Sequence, residues 1–87
     1  MDNTYWDRIQ RTVDYIEESV EAPLKLSELA RHAGFSDYHF HRMFHYLCGE
    51  TVMDYVRKRK LVHAAAELGR SDRRVVDIAY AYGFGSH

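Results

Sequence analysis

The sequence predicts an all-α fold, on three observations. Apolar residues recur at helical spacing in five successive segments, and no stretch alternates apolar with polar as a half-buried strand would. One proline and five glycines in 87 residues leave room for long helices. A short helix, a glycine and a new helix start also occur twice, Leu26 to Ser36 and Val75 to Gly85.

Taken in order, Ile9, Val13, Ile16 and Val20 form the apolar side of a first helix, with Tyr5 and Trp6 extending it. Thr4 followed by Asp7 predicts an N-cap, and Ala22-Pro23 predicts an end after about five turns, because the residue before proline is pushed out of helical geometry. Leu26, Leu29, Ala30 and Ala33 mark a short second helix with a poor cap in Lys25, and Gly34 supplies a left-handed turn. Ser36 caps a third helix over about 37–47, whose core stripe is Phe40, Met43, Phe44 and Leu47. Thr51 with Asp54 starts a fourth helix over about 52–68, closed by Gly69 and the polar Arg70-Ser71-Asp72 segment. A fifth, over about 74–82, buries Val75, Ile78, Ala79 and Tyr82.

The repeat organises these elements. Aliphatic aligns with aliphatic, Glu28 with Asp77, Ala30 with Ala79, Gly34 with Gly83 and Phe35 with Phe84. Helix, glycine turn, helix is the sequence form of a helix-turn-helix. The chain therefore reads as a single domain of two such units, the first over about 26–48 and the second opening over about 74–87, with the fourth helix as a rigid spacer. The second unit is unfinished at His87. A single complete unit reads about one half-site, so these residues alone are expected to bind DNA weakly.

Charge is unevenly distributed. The net value is −1, but residues 1–30 carry seven acids and three bases, and residues 31–87 carry nine bases and six acids. The run Arg57-Lys58-Arg59-Lys60 is the densest positive block. One face can then meet phosphate while another stays acidic. The longest apolar run falls far short of the roughly 18 residues of a membrane span. No segment has the form of a secretion signal. The single Cys48 cannot form an internal disulfide, which fits a cytoplasmic protein. There is no Gly-rich phosphate loop, paired-carboxylate site or nucleophile motif, so the chain does not read as an enzyme, and no cofactor is implied.

The ordered motifs resemble the AraC/XylS family of bacterial transcription regulators over almost the whole chain. They are Ala22-Pro23-Leu24, then Leu29-Ala30-x-x-Ala33-Gly34-Phe35-Ser36, then Phe40-x-Arg42-x-Phe44, then Gly49 and Thr51. Tyr55-Val56-Arg57-x-Arg59-Lys60-Leu61 with Ala64, and Ile78-Ala79-x-x-x-Gly83-Phe84, complete the set. Val52 stands where the family usually has proline. The resemblance implies homeodomain-like three-helix units and seven helices, the sixth and seventh lying beyond His87. It also implies double-stranded promoter DNA as partner, read by two recognition helices in successive major-groove segments. By the same resemblance the protein is an activator that contacts RNA polymerase, and an effector domain could follow the helices beyond His87.

Subtracting the core stripe from the third helix leaves Tyr38, His41, Arg42 and His45 along one face at i, i+3, i+4 and i+7. Arg42 is the strongest base reader, since its planar fork can bond guanine O6 and N7 together, worth about 1–3 kcal/mol of discrimination. The competing role for Arg42 is a surface ion pair with Asp37 or Glu50. His41 can donate or accept according to tautomer, and Tyr38 can pack on a thymine methyl, bond a phosphate or lie against the second helix. The resemblance aligns base-contacting residues with Tyr38, His41 and Arg42. His45, Arg57, Lys58 and Lys60 are phosphate candidates, and Arg57 or Arg59 is expected to brace the fold. Ser36 and Thr51 mark helix starts whose amides can hold phosphate, although capping is their simpler role. Ser86 takes the cap position of the second motif, and His87 would open its recognition helix.

Two other functions compete. An apolar face on the helix over 74–82 (Val75, Ile78, Tyr82 and Phe84) could support dimerisation or another protein contact. His41, His45 and Cys48, at i, i+4 and i+7, could hold zinc with His32, water or another chain as fourth ligand, giving a metal-responsive sensor.

Overall fold

The computed structural model describes residues 4–84, and within them every regular element is helical. The five helices are α1 (Tyr5–Glu18), α2 (Leu26–Ala33), α3 (Asp37–Cys48), α4 (Val52–Arg70) and α5 (Val75–Ala81). Ser86 and His87, the phosphate candidates of the second motif, lie outside the described residues.

The caps form as the sequence predicts. Thr4 Oγ1 accepts from the Asp7 amide at 3.1 Å, Ser36 Oγ from His39 at 3.2 Å and Thr51 Oγ1 from Asp54 at 3.1 Å. Lys25 makes no side-chain cap to α2. Both repeat turns share one backbone solution. Gly34 and Gly83 have φ of +81° and +86°. Phe35 N donates to Ala30 O at 2.9 Å, and Phe84 N to Ala79 O at 2.8 Å. These bonds satisfy carbonyls that the end of a helix leaves open.

The first three helices pack around one core. Ile9 and Ile16 of α1, Leu29, Ala30 and Ala33 of α2, and Phe40 and Phe44 of α3 are buried together, and Val52 and Val56 join them from α4. Thr12 is buried in the same α1 face and returns its hydroxyl to Arg8 O at 3.1 Å. Arg8 clasps the first turn, donating from Nε to Ala33 O at 2.9 Å and from Nη2 to Gly34 O. Its guanidinium lies 4.1 Å over the Phe35 ring. A smaller second core joins Val20 to Ile78 and Tyr82, flanked by Ala64 and Ala81. The radius of gyration is 14.3 Å, against about 12 Å for a compact domain of this length, and the extents are 44 × 27 × 20 Å, so the molecule is elongated.

Three helix predictions are corrected. α1 ends at Glu18, a turn before Pro23, with Ser19 N bonded to Ile16 O at 3.0 Å. The carbonyls released by the early end go to Lys60, which donates to Val20 O and to Ala22 O at 2.8 Å. α4 runs through Gly69 to Arg70 and stops where Ser71 becomes extended. α5 buries only Ile78, which with Tyr82 just past the helix end reaches Val20; Val75 is 67% exposed because no described residue packs over the first turn. The apolar face expected on this helix is therefore different in composition: Val75, Val76, Tyr80 and Phe84 are outside, while Ile78 and Tyr82 are inside.

Candidate nucleic-acid interface

α3 separates its two faces sharply. Phe40 and Phe44 are wholly buried, while Tyr38 is 70% and Tyr46 83% exposed. His39, His41, Arg42 and His45 are exposed as well. This face holds no acidic side chain after Asp37, and His41, Arg42, His45 and Tyr46 line one shallow depression.

Arg42 pairs with neither Asp37 nor Glu50. Its Nη1 donates to the Tyr38 hydroxyl at 2.9 Å, and its guanidinium carbon lies 5.6 Å from the Tyr38 ring centroid. Glu50 instead accepts from Lys58 at 2.8 Å. Tyr38 turns outward along α3 and does not lie against α2. Tyr46 was not singled out by the sequence reading. Its signal was the i, i+4, i+8 series from Tyr38 through Arg42.

The basic run on α4 divides by helix angle. Arg57 is exposed and forms no ion pair among the described residues; Lys58 is exposed beside Glu50. Arg59 and Lys60 turn back onto α1. Arg59 makes a bidentate pair with Glu17, Nε to Oε1 at 3.0 Å and Nη2 to Oε2 at 2.9 Å, and His63 Nε2 meets the same carboxylate. Hydrogen bonds from Arg59 and then His63 hold the Glu17 carboxyl at a pKa of about 2, and the same pair raises that of Arg59. Burial lowers the pKa of Lys60, whose ammonium is committed to the two α1-end carbonyls. Lys60 is accordingly a brace, and the phosphate role expected for it is withdrawn. The expected structural arginine is Arg59.

The metal trio does not assemble. Cys48 is partly buried against the first core, while His41 and His45 are exposed. Burial raises the thiol pKa, opposing the thiolate that zinc requires. His32, considered as a fourth ligand, stacks on Tyr15 with ring centroids 4.4 Å apart. Among the described residues no three His, Cys, Asp or Glu side chains are placed to hold a metal ion. No helix among them is long and apolar enough to cross a membrane.

A family model described as "Helix-turn-helix domain" matches residues 29–87. Relatives share the pattern nearly end to end. The chain is 36% identical to the regulatory protein SoxS of Escherichia coli over 78 residues, covering 90% of this chain and 73% of SoxS. It is 34% identical to the multiple antibiotic resistance protein MarA of Salmonella typhimurium over 84 residues, covering 97% of this chain and 66% of MarA. The chain belongs to the AraC/XylS family. Against the uncharacterized HTH-type transcriptional regulator YbfP of Bacillus subtilis it is 37% identical over 82 residues, spanning only 28% of that protein. A crystal structure of an AraC-type regulator from Chromobacterium violaceum superposes with a TM-score of 0.85 at 26% identity, covering 93% of this chain and 72% of that one. As an AraC-type helix-turn-helix domain, the chain is a DNA-binding domain of the kind found in transcription regulators.

Within this AraC-type domain, the first unit provides a rigid support and a chemically mixed surface. Arg42 offers a planar fork of donors, the histidines offer donors or acceptors, and the tyrosines offer aromatic faces with polar tips. The Ser36 and Thr51 hydroxyls each accept from an amide of their own helix, so both residues cap.

Proposed function

We propose that this chain reads promoter DNA by laying α3 in the major groove, with Tyr38, His41 and Arg42 at base edges. His45, Arg57 and Lys58, with the helix starts at Ser36 and Thr51, meet flanking phosphates. α2 crosses the backbone, and the second unit opened by α5 engages the next groove segment. The observation that carries this reading is the exposed, acid-poor face of α3, set at a fixed angle by the Gly34 turn and the buried pair Phe40 and Phe44. We also assign an activating role with RNA polymerase as protein partner, on family resemblance.

The test is selection of duplexes from a randomised pool, followed by fluorescence anisotropy across a range of salt. Arg42→Ala is expected to lose discrimination at one base pair by about 1–3 kcal/mol while leaving the helical circular-dichroism signal intact. Enrichment of no sequence, or equal binding by Arg42→Ala, would refute it. Self-association through Val75, Val76, Tyr80 and Phe84 is a second reading, favoured by their exposure. Sedimentation showing a monomer at all concentrations would remove it.

A further inference from the structure

The contact between Arg42 and Tyr38 is a local feature of α3 in the free protein. Arg42 Nη1 donates to Tyr38 Oη at 2.9 Å, one helical turn apart, and the guanidinium carbon lies 5.6 Å from the centroid of the same ring. Both side chains are exposed, so no core packing holds them there. A lone surface arginine samples many rotamers, and ordering it on binding reduces affinity. Here one of the five guanidinium donors is bound to the hydroxyl, and the others remain for a base. The hydroxyl accepts in this contact, so it fixes the guanidinium without using any acceptor of the DNA.

From this geometry we infer that Tyr38 is a positioning residue for Arg42, which reads its base as half of a preset Tyr–Arg pair. The inference rests on the reading of α3 as the DNA-facing helix. It departs from that reading in the role of Tyr38, which acts chiefly through Arg42 and not as an independent base contact. The pair is selective in its chemistry. Arg42 held from one side presents its remaining edge in one orientation, which suits the two acceptors of guanine and not a single acceptor displaced from them.

A double-mutant cycle on a duplex chosen by selection from a randomised pool tests this. Tyr38→Phe retains the ring and removes only the hydroxyl. It is expected to weaken binding about 2- to 10-fold, the range of one side chain's ordering cost. It is also expected to narrow the penalty for replacing the base pair that Arg42 reads. In an Arg42→Ala background the same substitution is expected to change affinity by less than about 2-fold. Melting temperatures should be unchanged throughout, since both residues are exposed.

An equal effect of Tyr38→Phe in both backgrounds would make Tyr38 an independent contact and overturn the inference. No effect in either background would overturn it too. Both results leave the DNA reading intact, provided Arg42→Ala alone weakens binding. If Arg42→Ala alone binds as the parent does, the DNA reading itself fails, and the inference fails with it.

Discussion

Replacing Glu17 with glutamine is expected to loosen α4 from α1 and to lower stability in a pH-dependent way. The carboxylate accepts both bonds of the Arg59 fork and a third from His63, and its pKa falls from 4.5 to about 2. Unscreened, that shift corresponds to about 3 kcal/mol, at roughly 1.4 kcal/mol per unit. Side-chain exposures of 40% for Glu17 and 31% for Arg59 admit solvent to the pair. Screening reduces the contribution to about 1 kcal/mol, between an exposed pair and a buried bidentate one. In a domain of this size that is a loss of about 4–8 °C in melting temperature at neutral pH.

The sign of the pH dependence follows from the direction of the shift. A carboxyl whose folded pKa is depressed stabilises fully above its unfolded value of 4.5 and loses that contribution as pH falls toward about 2. Thermal circular dichroism of the parent and Glu17→Gln should show the full difference near pH 7. The difference should shrink steadily below about pH 4.5 and nearly vanish near pH 2. A difference that is constant from neutral to acid pH would refute the electrostatic account and leave only a packing effect. No difference at neutral pH would show that the clamp does not stabilise the fold.

The remaining predictions concern the turn and the basic run. Gly34→Ala is expected to destabilise by about 1–2 kcal/mol in a urea melt, because φ is +81° and the new Cβ would lie 2.8 Å from Arg8 Nη2. Gly49→Ala has the same φ but open space around its Cβ, so its loss should be the smaller of the two. Arg57→Ala should lower the slope of log affinity against log salt by about one and leave stability unchanged. Lys60→Met should do the reverse, keeping the salt slope and lowering the melting temperature, since its ammonium serves the Val20 and Ala22 carbonyls.

Much of the first unit was legible because its signals are local. Ser36, Gly34 and the Phe40–Phe44 stripe each act within one turn of their own position, so spacing alone places them. The α4 run was legible only in part. Four successive cations point to four different directions around a helix, and which of them stays free of the fold depends on where α1 lies. Glu17 and the carbonyls of Val20 and Ala22 settle that for Arg59 and Lys60, at sequence separations of 42, 40 and 38. Cys48 shows the same limit: ideal spacing put it with His41 and His45, but the core claimed it. α5 was misread because amphipathic spacing marks which residues could be buried and not whether a neighbour is there to cover them.

The clamp also bears on how a linking helix can hold the helices on either side of it in register. Beyond Val56, α4 leaves Leu61, Val62 and Leu68 exposed at 52%, 46% and 45%, and the second core is small. Apolar contact is non-directional, and a few aliphatic side chains would tolerate rotation of α4 against α1. A planar guanidinium bonded at two points to one carboxylate does not, because both bonds weaken together when the fork turns. Lys60, one residue on, grips carbonyls that exist in that form only because α1 ends early at Glu18. Val20, just past the end of α1, then lies in the second core, so the polar clamp and the apolar contact fix the same joint from two directions. The orientation of α5 against α1 is thus set by Glu17, Arg59, Lys60 and Val20, none of which lies on α3.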